Sequence, residues 1–141
     1  MLKISYLNQI QTQVYHSIAD NEDNVFIGAS EGSGKFTLAL FAMNDAVSKG
    51  KKVILIEPKE ELARFKFHMI SKVFSQFKVG KTFNELTKDT QVLLLNDIIV
   101  ATPEAWEVVS RRWKARKGFE KIGLFVVDGL HMLAEENGAI L

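Results

Sequence analysis

Apolar residues follow two rhythms along this chain. Short β-branched runs fill 25–28, 52–56, 97–101 and 124–127, with a weaker one at 82–86. The segments 35–48, 60–77 and 103–113 instead repeat apolar residues every three or four positions. The first pattern predicts buried strands and the second predicts helices. Their alternation predicts βαβ units, hence an α/β domain with a parallel sheet and helices on both faces. Ile10, Val14, Tyr15 and Ile18 predict a further helix over 8–19 that covers the sheet. Thr102-Pro103-Glu104 marks a helix start, a capping hydroxyl followed by proline at the first helical position. With no internal repeat and no linker, residues 1–141 read as a single lobe. Ile140 and Leu141 are still apolar, so the lobe is expected to be cut short rather than finished.

Composition narrows this picture. A chain of 141 residues with 47% hydrophobic and 25% charged residues can bury one core. Its net charge of +1 supplies no bulk field for nucleic acid or anionic membrane, so any basic surface is local. Without cysteine there is no disulfide, thiolate zinc site or cysteine nucleophile. Runs such as Val53-Ile54-Leu55-Ile56 are too short to span a bilayer, and residues 1–9 lack the apolar block of a signal peptide. A soluble intracellular protein is the expectation, with no membrane partner.

The candidate chemistry begins at Ala29-Ser30-Glu31-Gly32-Ser33-Gly34-Lys35-Phe36, between a predicted strand and a predicted helix. This is a phosphate-binding loop. Gly32 and Gly34 permit the tight turn that aims backbone N–H groups at phosphate, and Lys35 adds charge at the β- and γ-phosphates. Ala29 stands in place of the first glycine of the strict motif. After the lysine the pattern requires Ser or Thr, whose hydroxyl ligates Mg²⁺, and Phe36 offers no such oxygen.

A second departure lies downstream. Leu124-Phe125-Val126-Val127-Asp128 has the layout of a Walker B strand, yet Gly129 follows where the pattern places a general base. Loss of a general base alone lowers a rate by about 10²–10⁴. No catalytic residue is therefore assigned, and magnesium is not expected. Asp128 reads either as a strand-end turn residue or as part of a vestigial ATP site with Ala29, Ser30, Gly32, Ser33, Gly34 and Lys35.

These residues resemble the first RecA-like lobe of Ski-like superfamily-two RNA helicases, especially the degenerate C-terminal cassette of double-cassette spliceosomal members. Asn8-Gln9-Ile10-Gln11-Thr12-Gln13-Val14 is similar to the family's adenine-recognising entry segment, which adds Gln11 to the nucleotide site. Residues 58–64, including Pro58 and Arg64, resemble a motif that contacts the nucleic-acid backbone. Ala101-Thr102-Pro103-Glu104-Ala105-Trp106 resembles another family segment, adding Thr102 and Pro103 as contacts to nucleic acid or a partner. The run from Ser110 through Arg111, Arg112, Trp113 and Lys114 to Lys117 resembles the spliceosomal members most specifically. Phe36, Gly129, Lys88 and Leu40 depart from the family pattern.

The resemblance implies a nuclear pseudo-helicase domain in pre-mRNA splicing. It would brace the active helicase cassette of the same parent chain and receive other splicing proteins, with weak or indirect RNA contact. Two alternatives stay open: a regulatory module that holds ATP without hydrolysing it, and a slow RNA-dependent ATPase. The cluster Arg111, Arg112, Lys114, Arg116 and Lys117 reads either as a solvated helix end or as an RNA contact. His131 is expected to keep a hydrogen bond near Asp128. The helix bearing Phe65, Phe67, Met69, Ile70, Val73, Phe74 and Phe77 carries more apolar residues than one buried stripe needs, so part of it is expected to face a partner.

Overall fold

A computed structural model describes residues 6–20, 24–83, 91–111 and 118–134. Its centre is a sheet of four parallel strands: β1 (Lys52–Ile56), β2 (Val79–Thr82), β3 (Ile98–Ala101) and β4 (Ile122–Val127), in the order β2-β3-β1-β4. The α-helices among the described residues are α1 (Gln9–Asp20), α2 (Lys35–Ser48), α3 (Glu60–Val73), the single turn α4 (Val92–Leu95) and α5 (Pro103–Ser110). The α/β class and parallel sheet expected from the sequence are both present.

The two central strands explain the continuous apolar runs. Every residue of β1 and β3 is buried, because neighbours cover both edges and helices cover both faces. Alternate side chains divide between two cores. Val53, Leu55, Ile98 and Val100 pack with Leu40, Met43 and Val47 of α2 and with Ala63 and Ile70 of α3. Ile54, Ile56, Ile99 and Ala101 meet Val92, Leu93 and Val109, with Trp106 and Phe119 at the margin. Helix α1 joins the first side through Tyr15, whose ring meets Phe41 edge-on at 5.9 Å.

Several boundaries differ from expectation. The run 25–28 forms no strand: Val25 and Phe26 are 40% and 78% exposed. A strand requires a ladder partner, and among the described residues none is hydrogen-bonded to this segment as a strand. The strand expected at 82–86 instead starts at Val79, and residues 84–90 lie outside the described set. Helix α3 ends at Val73 rather than 77, because Phe74 leaves helical geometry and buries its ring as the chain turns toward β2. Most of the apolar surplus of α3 is thereby used. Phe67, Met69, Val73 and Phe77 pack against the core, and Phe65 alone of that set stands 66% exposed. Helix α5 ends at Ser110, and 112–117 are not described. Strand β4 begins at Ile122, ahead of the expected 124.

Candidate nucleotide site

The phosphate loop is held in shape by two left-handed glycines, Gly32 at φ 73° and Gly34 at φ 86°. Both conformations favour a residue without a Cβ. Helix α2 starts immediately after Gly34 with no side-chain cap, so its N-terminus is available to an anion. Lys35 folds across its own loop, where Nζ donates to the carbonyls of Ala29 at 2.6 Å and Ser30 at 2.7 Å. The Ser33 hydroxyl is buried with no hydrogen-bond partner. Glu31 points outward, being exposed.

The start of α1 is stitched to this loop. Asn8 and Gln11 form a reciprocal cap: the Gln11 N–H donates to Asn8 Oδ1 at 2.9 Å, and the Asn8 N–H donates to Gln11 Oε1 at 3.0 Å. Each side chain then donates to the loop, Asn8 Nδ2 to the Ser33 carbonyl at 2.8 Å and Gln11 Nε2 to the Gly34 carbonyl at 3.3 Å. Gln11 is therefore a buried tether whose amide is spent on the loop and the cap.

At the carboxyl ends of β1 and β4 the arrangement departs from the sequence reading. Ile56 of β1 pairs with Val127 of β4, so Glu57 and Asp128 emerge side by side just past the paired positions. Lys66 reaches in from α3 and salt-bridges both: Nζ contacts Glu57 Oε2, and lies 2.5 Å from Asp128 Oδ2. The same ammonium lies 5.0 Å from the centre of the Phe36 ring, within cation–π range. Phe36 also packs against the core formed with α2 and α3. Glu57 has a second anchor, the Lys59 N–H at 3.1 Å.

Asp128 is partly buried, which pushes its pKa up, but opposing interactions win. The hydrogen bond and charge of Lys66, the Gly129 N–H at 2.9 Å and the charge of Lys35 together hold the carboxyl below its ordinary 3.8. Asp128 is thus more than a strand-end turn residue. Its partners are Lys66 and the Gly129 N–H, where a hydrogen bond from His131 was expected; His131 is exposed.

Gly129 is locked in place by its backbone. Its φ is 80°, and an added Cβ would lie 3.2 Å from Cδ and Cγ of Pro58. A glutamate side chain at this position is strained and crowded. The residues present do not fit a magnesium ion. Phe36 supplies no oxygen, the Asp128 carboxylate already carries an ammonium, and among the described residues no three His, Cys, Asp or Glu side chains gather.

The remaining expected contacts are dispersed. Pro58 packs over the Gly129 turn. Arg64 is exposed, pairs with Glu60 at 2.5 Å and lies over the Phe83 ring at 5.2 Å. Thr102 and Pro103, expected to touch nucleic acid or a partner, are buried instead. The Thr102 hydroxyl caps α5 through the Ala105 N–H and donates to the Phe83 carbonyl, so neither side chain reaches the surface. Arg111 is exposed and paired with Glu107, whereas Arg112 and Lys114 lie outside the described residues.

Glu57 and Lys66 escaped the sequence reading. Both β1 and β4 are followed directly by an acidic residue, which is a readable signal for Glu57. Lys66 sits between Phe65 and Phe67 in a helix read only for its apolar content.

Comparison with known proteins agrees with this geometry. Residues 8–140 match the family model described as DEAD/DEAH box helicase. The chain is 39% identical over 144 residues to the human U5 small nuclear ribonucleoprotein 200 kDa helicase, covering 99% of this chain and 7% of that protein. It is 35% identical over 147 residues to chicken activating signal cointegrator 1 complex subunit 3, covering 100% and 7%. It is also 34% identical over 143 residues to the Arabidopsis DExH-box ATP-dependent RNA helicase DExH12, covering 96% and 7%. The chain thus spans about 7% of the length of these relatives. The helicase resemblance read from the motifs stands, and with the match extending over nearly all of its length the chain belongs to the DEAD/DEAH box helicases, whose RecA-like fold its parallel sheet displays.

Proposed function

We propose that this chain is a non-catalytic RecA-like lobe of a spliceosomal RNA helicase, of the kind found in a degenerate C-terminal cassette. It acts in the nucleus as a scaffold and regulator in pre-mRNA splicing. Its partners are the active cassette of the same parent chain and other splicing proteins. The observation that carries this reading is the carboxylate end of β1 and β4, where Lys66 holds Asp128 and a left-handed Gly129 stands where the general base belongs. Hydrolysis of ATP requires a nucleophile to be activated and developing charge to be stabilised, and this end of the site is built for neither.

One observation favours a second, regulatory role. The phosphate loop keeps both left-handed glycines, an uncapped helix start and a buried Ser33 hydroxyl without a partner. These groups fit a nucleotide's phosphates, so the lobe holds ATP or ADP without turning it over.

Titration of nucleotide with and without magnesium, alongside steady-state phosphate release, tests both. The expected result is binding indifferent to magnesium with no release; absence of binding leaves the scaffold role alone. Turnover at about one per second, the low end of ordinary enzyme rates, and abolished by Lys35→Ala, overturns the proposal.

A further inference from the structure

The ammonium of Lys66 sits where three features converge: the carboxylate that follows β1, the carboxylate that follows β4, and the aromatic face at the start of α2. Its side chain is 12% exposed and Glu57 is 4% exposed, so this pair is largely withdrawn from water, whereas Asp128 is 42% exposed on the open side. A lysine ammonium has three donors and no acceptor. Here two directions end on carboxylate oxygens, and the ring of Phe36 offers its negative face to the same charge.

Phe36 and Lys66 belong together chemically. With a hydroxyl at position 36, the carboxylate of Asp128 would have an oxygen partner for sharing a divalent ion. With an aromatic ring there, the favourable neighbour is an organic cation, and α3 delivers one. Two carboxylates and one ammonium leave a residual charge of −1, and Lys35 on the loop side acts on Asp128 as a second cation. A divalent ion approaching Asp128 meets both positive charges and must displace Lys66 from that carboxylate.

We propose that Lys66 is a tethered cation that takes the place of the divalent metal at Asp128. It makes this a site where a nucleotide polyphosphate binds without a divalent ion held by the protein. The nucleotide half of this assignment rests on the reading of the loop as a phosphate cradle, and the metal half stands on the Lys66 contacts alone.

The test counts Mn²⁺ bound to the chain by electron paramagnetic resonance, without nucleotide and with ADP, in wild type, Lys66→Met and Lys66→Met/Asp128→Asn. Wild type is expected to bind no Mn²⁺ at this site in either condition. Lys66→Met is expected to take up one Mn²⁺ per chain, and the added Asp128→Asn to release it. Uptake by wild type that Asp128→Asn abolishes overturns the proposal, and so does a Lys66→Met variant that binds no more Mn²⁺ than wild type. Because Lys66→Met strands a buried carboxylate, Lys66→Gln serves as a second variant with the same expectations. Mn²⁺ broadening of the Asp128 and Gly129 amide resonances in wild type needs no variant; its absence is the expected result and its presence overturns the proposal. Fluorescent ADP binding, with Lys35→Ala as control, is read separately. Its absence defeats the nucleotide reading, while Mn²⁺ uptake without ADP still decides the role of Lys66.

Discussion

The two halves of the candidate nucleotide site are built in opposite ways. The loop half keeps everything that depends on backbone: two left-handed glycines, an uncapped helix start and a tether from Asn8 and Gln11. The strand-end half instead carries an ion-pair triad of buried Glu57, largely buried Lys66 and half-buried Asp128 beside Phe36. Backbone geometry at the start of α2 also serves the folding of the lobe, so under the proposed non-catalytic role it is the part expected to persist. Metal ligands and general bases contribute little to stability, and their positions are open to groups that contribute more.

The sharpest way to break this contrast is to remove the cation from the strand-end half. Lys66→Met leaves Glu57 buried opposite no positive charge, and the expected loss is about 3–5 kcal/mol of unfolding free energy in urea titrations. Adding Glu57→Gln should recover much of it, because no unpaired charge then remains in the core. A loss well under this range would show the triad to be solvent-screened rather than structural.

Restoring the missing base is the next test. Gly129→Glu places a side chain on a backbone with φ 80° and against Pro58, at an expected cost of about 1–2 kcal/mol. Phosphate release should remain absent, since the turn does not present the carboxylate as a base. Measurable turnover in this variant would refute the claim that the backbone locks the lesion in.

In the loop half, Gly34→Ala meets the same left-handed penalty of about 1 kcal/mol. Its Cβ would lie 2.4 Å from Gln11 Nε2, so the tether must shift as well. Thermal unfolding of this variant, compared with Gln11→Ala, separates backbone strain from the lost tether.

Acid should act on the strand-end half first. Asp128 has its folded pKa below the ordinary 3.8, so its contribution to stability is complete above that value. As pH falls through the lower folded value, the carboxylate takes up its proton and the contribution is lost. Asp128→Asn should flatten this part of the stability profile between neutral pH and strong acid, as followed by circular dichroism. An unchanged profile would separate Asp128 from acid unfolding.

The smallest expected effect completes the contrast. Lys35→Ala should abolish nucleotide binding while changing stability by no more than about 0.5 kcal/mol, since its ammonium bonds only loop carbonyls at the surface. A large stability loss would mean that the loop lysine is structural, erasing the difference between the halves.

Where the sequence was legible, the reason is local. Helix α2 and strand β1 have the bounds read from their periodicity, because each signal lies within its own residues. The Thr102-Pro103 start of α5 is equally local: a hydroxyl cap and a ring that presets the helical turn. The run at 25–28 was misread as a strand for the complementary reason. Its β-branched composition is a strand signal, but a strand exists only through a neighbour, and the described residues provide none. Short elements such as α4 carry too few residues for any periodicity.

The chain alone determined that a phosphate loop with Phe36 and Gly129 at two chemical positions lies in an α/β helicase lobe, because motif spacing and hydrophobic rhythm are written in consecutive residues. It did not determine what meets Asp128. Asp128 and Lys66 are 62 positions apart, and they meet because β1 and β4 pair at Ile56 and Val127 while α3 carries Lys66 to Asp128 just beyond. Charge pairing of that range depends on distance and burial, and these come into existence when the sheet folds.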